Sequence, residues 1–201
     1  MDTPIVSAAP RVYDATTLLG FGPPSPEAPL PEAKPGELLL RYGGWSLQDL
    51  RDNAVVRAKD LMWVQDWYEQ YPWSAEKLPS GLYALRLPVP DSNRKTFDKQ
   101  KALLLPGEEP APVVLAASAL LAHHLQTQED LLKGDWTRCK EQTAGGYHVV
   151  LYWSGGRLRV NYRWDDYPYH FVWLASARRL PQHQAQSAGA GQAPEPCPSS
   201  P

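Results

Sequence analysis

Proline and tryptophan have separated along this 201-residue chain, and the separation limits where a folded core can lie. Of the 21 prolines, eight fall in residues 1–36 and five in residues 181–201, while all eight tryptophans fall between those ends. Proline lacks the N–H that helices and strand ladders need, whereas tryptophan carries a large apolar surface that folding buries. The chain therefore reads as three parts: a Pro/Ala-rich N-terminal arm over residues 1–36, mostly irregular; a single α+β domain over residues 37–180; and a disordered C-terminal tail over residues 181–201. The middle part is long enough to bury one core without disulfide or metal staples.

Within residues 37–180 the pattern predicts an antiparallel β-meander of about four to five strands packed on two helices. Ser46 with Asp49 three residues on gives a capping-box start for the first helix, which Pro72 ends. The inward positions are Leu47, Leu50, Ala54, Ala58, Leu61 and Tyr68; Val56, Trp63 and Trp67 lie on its other side. Residues 81–87 read as a strand closed by Pro88 and Pro90, at an edge or at a strand end. Residues 91–112 read mostly as loop, with one helical turn near Phe97. The second helix, from Pro112 to about Leu125, is apolar nearly all round and so is expected to be central. From Trp136 the period changes to two, giving strands at about 136–142, 147–153, 157–164 and 171–178.

Gly155-Gly156 fixes the register of the middle hairpin, because two residues that tolerate positive φ make a two-residue turn. Ser154 then faces Arg157, and one side of the hairpin pairs Trp153 with Leu158, Leu151 with Val160, Val149 with Tyr162 and Tyr147 with Trp164. The preceding strand turns Thr137 and Cys139 inward, since burying unpaired cations costs far more than burying a thiol. The outer face is then expected to carry Arg138, Lys140, His148, Tyr152, Arg157, Arg159, Asn161 and Arg163.

Charge follows the same division. Residues 136–180 hold seven Lys/Arg against three Asp/Glu, and residues 37–135 hold 11 against 14. Either the halves neutralise each other, or the basic half meets an anionic partner.

No motif fixes a reaction, a metal or a cofactor: there is no phosphate-binding glycine loop, paired-histidine zinc motif or nucleophile elbow. Catalytic residues, metal ligands and cofactors are accordingly expected to be none. Cys139 and His148 fall on opposite faces, and adjacent His123 and His124 point about 100° apart on a helix. Two cysteines in dissimilar settings point to a reducing compartment. The first residues lack a basic, apolar leader pattern, and the run Val113 to Leu125 is shorter than the ~20 residues of a membrane span. A cytoplasmic protein without a membrane partner is the expectation.

The leading functional expectation is a non-enzymatic module that docks another protein through Trp63, Trp67, Tyr167 and Tyr169, residue types that anchor interfaces. The alternative is a polyanion or nucleic acid held by Arg138, Lys140, Arg157, Arg159 and Arg163. A second alternative is a hydrolytic enzyme using the Asp165, Asp166 and His170 loop.

Overall fold

The computed structural model describes residues 11–23, 31 and 33–181. The disorder expected of the C-terminal tail falls on residues 182–201, outside that range, as do residues 1–10 of the arm.

The N-terminal arm differs from the sequence expectation where it is described. Strand β1 (Arg11–Asp14) leads into the single turn α1 (Ala15–Leu18), capped by Asp14 Oδ1 accepting the Thr17 N–H at 3.1 Å. Tyr13 and Leu19 are buried, the Tyr13 hydroxyl bonds His123 Nδ1 at 2.7 Å, and Phe21 stacks on Trp45 at 4.1 Å. The reason is apolar surface: Tyr13, Leu19 and Phe21 pack into the same core as the central helix, so this part of the arm is not irregular.

Strand β2 (Leu38–Tyr42) runs parallel to β1. The next helix starts as its sequence predicts: Ser46 Oγ accepts the Asp49 N–H and Asp49 Oδ2 accepts the Ser46 N–H. It stops after six residues, so the long first helix is corrected to two short ones, α2 (Leu47–Asp52) and α3 (Ala54–Ala58). Asn53 breaks it, with ψ at 136°, and its side-chain oxygen accepts the Val55 and Val56 N–H groups. Asparagine competes with the helix for backbone donors in this way. Asn53→Ala is expected to cost about 1 kcal/mol in a urea denaturation series. Beyond α3 the chain is extended: the Leu158 N–H donates to Leu61 O, and the Trp63 N–H donates to Leu158 O. Trp63 and Trp67 are therefore not on a helix.

Strand β3 (Gly81–Arg86), the turn α4 (Phe97–Lys101), the two-residue β4 (Glu109–Pro110) and helix α5 (Val113–Thr127) follow. Pro88 and Pro90 lie past the end of β3, which is an interior strand. Every residue of α5 from Val113 to His123 is buried, as an all-round apolar helix requires. The last third of the chain supplies β5 (Trp136–Thr143), β6 (Tyr147–Ser154), β7 (Arg157–Trp164), β8 (Val172–Leu174) and β9 (Ser176–Arg179).

The fold class is α+β, but one meander is corrected to two mostly antiparallel sheets. The first has order β1-β2-β3-β9-β4 and the second β7-β6-β5-β8. The expected fourth strand is divided between them at Ala175: β8 pairs in parallel with β5, and β9 pairs with β3 and β4. Two backbone bonds hold the crossing, from the Ala175 N–H to Arg138 O and from the Ala111 N–H to Ala175 O. Helix α5 packs against both sheets, sharing one core with Leu38, Leu40 and Leu85 of the first and Cys139, Leu151 and Val160 of the second. No helix among the described residues is long and apolar enough to cross a membrane.

Candidate functional site

The hairpin β6–β7 has the register that its turn dictates, from Ser154 opposite Arg157 to Tyr147 opposite Trp164. Gly155 and Gly156 take φ values of 61° and 74°, both in the left-handed region. Side chains consequently sort to two faces of the second sheet, and each face carries a separate cluster.

On the outer face the five cations do not act alike. Arg138 lies where the register puts it, yet it is fully buried, which corrects its expected exposure. The polar segment before α5, read mostly as loop with one helical turn near Phe97, folds over this part of the sheet through that turn, α4. Gln100 Oε1 accepts from Arg138 Nη1 at 2.8 Å, Trp164 O accepts from Nη2 at 2.9 Å, and Phe97 lies under the guanidinium. Burial lowers the Arg138 pKa, and the Asp165 carboxylate partly offsets that. Lys140 pairs with Glu109 at 2.8 Å and Arg157 with Asp60 at 2.6 Å, so these two cations are neutralised by the acidic first half. Among the described residues no carboxylate pairs with Arg159 or Arg163. Each lies instead 4.1 Å above an indole, Arg159 over Trp63 and Arg163 over Trp136.

His148, also expected on the open face, is buried against Phe97, with ring centroids 3.7 Å apart. Its Nδ1 meets Asp165 Oδ1 at 2.7 Å, and burial lowers its pKa although Asp165 acts to raise it. The loop therefore does not gather the expected trio. Asp165 turns to His148, whereas Asp166 and His170 are exposed and His170 sits edge-on to Phe171. Glu141 does not join this loop either, its Oε2 accepting the Val113 N–H at the start of α5. Cys139 is fully buried, which pushes its thiol pKa well above the ordinary value. No group of three potential metal ligands occurs among the described residues.

The inner face ends in aromatic rings. Leu158 and Val160 of β7 are buried under the core, but the next two residues on that side, Tyr162 and Trp164, are 41 % and 54 % exposed. Tyr162 contacts Trp67 at 5.2 Å and Tyr147 at 5.3 Å; Tyr147 contacts Trp164 at 5.3 Å. The run continues through Trp67 to Trp73 and Tyr71, and Trp73 Nε1 donates to Gln142 O at 3.2 Å. Of the four aromatics singled out in the sequence, Trp67 belongs to this strip. Trp63, Tyr167 and Tyr169 lie with the outer face and its loop, so the four do not share one surface. Tyr162 and Trp164 escaped notice because alternation tells which face a residue takes, not how far along the strand that face is covered.

Compared with known proteins, the chain matches no family model, and no curated protein or solved structure matches it significantly.

Proposed function

We propose that this protein is a non-enzymatic interaction module, which docks another polypeptide on the strip formed by Trp67, Tyr147, Tyr162 and Trp164. One observation carries the reading: two large aromatic side chains at the end of a core-facing strand stand 41 % and 54 % exposed in a contiguous aromatic run. Exposed rings grouped in this way mark interfaces, where they supply area at low entropic cost. The backbone of β7 supports docking by side chains rather than by strand addition. The Tyr162 N–H is taken by Asn161 Oδ1 at 2.9 Å and its carbonyl by Arg163 Nη1 at 2.8 Å. An edge blunted by its own side chains pairs poorly with another strand. The partner is accordingly a different protein presenting an apolar segment.

Tyr162→Ala/Trp164→Ala is expected to fold as the wild type does, because both rings lie beyond the buried core. It should lose at least tenfold in the yield of any partner that co-purifies with the wild type. An unchanged set of partners at unchanged yield would overturn the reading.

A further inference from the structure

The outer face carries a different chemistry. We propose that it binds single-stranded nucleic acid, with Arg159 and Arg163 on the phosphates and Tyr167, at the outer end of the neighbouring aromatic run, against a base.

Arg159 and Arg163 are four residues apart on one strand, so both project from the same face about 13 Å apart. The other three cations of this face are accounted for within the chain, by Glu109, by Asp60, or by Gln100 and the Trp164 carbonyl. Arg159 and Arg163 have no such carboxylate among the described residues, although the indoles beneath them hold their guanidiniums in place. Arg159 Nε is buried and closed to a ligand, but its Nη groups make no hydrogen bond among the described residues, and Arg163 makes one side-chain bond, to the Tyr162 carbonyl. Positioned cations with unused donors are what phosphate binding requires.

The second observation is independent of charge. An aromatic run leads from the last loop onto this face: Tyr167 to Tyr169 at 4.5 Å, Tyr169 to Phe171 at 5.5 Å, Phe171 to Trp136 at 5.2 Å, and Trp136 to Tyr152 at 3.9 Å. Tyr167, at its outer end, is 60 % exposed. Trp136 is already covered by Arg163 and Tyr152, so Tyr167 is the ring left to stack on an unpaired base, and a duplex offers no such bases along its length. An acidic protein would use the guanidiniums but would not need the rings in line.

The test is fluorescence anisotropy of a labelled 12-nucleotide oligo-dT titrated with the full chain. Two phosphate contacts predict that log K falls against log salt with a slope of about −1.4, far shallower than a five-cation patch would give. Arg159→Glu/Arg163→Glu should weaken binding at least tenfold and Tyr167→Ala at least fivefold, each with an unchanged circular dichroism spectrum. Tyr162→Ala/Trp164→Ala should leave oligo-dT binding unchanged, so failure here and failure of the protein-docking reading are distinguishable. The inference is overturned by absence of binding at low salt. It is equally overturned if a duplex of the same length binds more tightly, or if inorganic polyphosphate competes as well as unlabelled oligo-dT while Tyr167→Ala binds normally.

Discussion

Replacing Arg138 with alanine is expected to destabilise the protein by about 2–4 kcal/mol. The side chain is fully buried, and its removal strips a donor from both Gln100 Oε1 and the Trp164 carbonyl. Gln100 also donates to Ser92 O and Val172 O, so the loss reaches the cover that α4 places over the sheet. A cavity beside Phe97 adds to the cost, while release of a buried cation with no ion-pair partner offsets part of it. For a chain of this size the melting temperature should fall by roughly 10 °C. Arg138→Met keeps the volume and removes the charge, and is expected to lose about half as much. Urea denaturation of both variants measures this. A loss below about 1 kcal/mol for alanine would mean that the network does not hold α4 in place.

Glu141 gives the second large effect, with a defined pH dependence. It lies within the irregular stretch of β5, where pairing with β6 shifts between Arg138 and Gln142, and it reaches the first turn of α5. Pro112, at the cap position, offers no side-chain bond there. Burial pushes the Glu141 carboxyl up to about 7, outweighing the backbone donors that act to lower it. A carboxyl whose pKa is raised by folding favours the folded state most when protonated. Its contribution is fully present below the unfolded value near 4.5 and is lost as pH rises through about 7. Glu141→Gln keeps an acceptor for the Val113 N–H but cannot ionise. It should match the wild type near pH 4 and exceed its stability at pH 8 by about 2–3 kcal/mol. Differences between the two proteins isolate this group from His123 and His148, whose lowered pKa values reduce stability on acidification. A stability difference that does not vary with pH would contradict the assignment.

What was legible in the sequence was local. The Ser46–Asp49 capping box, the buried helix after Pro112 and the Gly155-Gly156 register each depend on residues a few positions apart, and each has the expected form. What was not legible depended on distant cover. The apolar period of the first helix continues through Asn53, so the period concealed a break made by one side chain. Within residues 91–112, read mostly as loop, the helical turn near Phe97 was legible, but not that Phe97 and Gln100 are the cover for His148 and Arg138. Residues 171–175 are an unbroken apolar run with no glycine or proline at Ala175, so nothing local marked where the last strand leaves one sheet for the other. The same limit applies to the candidate sites. Register put Arg159 and Arg163 on one face, but which cations find carboxylates, and where the aromatic strip emerges from the core, are long-range facts.

The central claim, docking on the Tyr162–Trp164 strip, is tested most directly by a photo-crosslinking amino acid placed at residue 164. Leu105, another apolar side chain, 40 % exposed, serves as the control position. Irradiation in cells is expected to give a discrete adduct of one added mass from position 164 and none from position 105. Tyr162→Ala in the same chain should reduce that adduct severalfold. Equal labelling from both positions, or no adduct from position 164, would contradict the account.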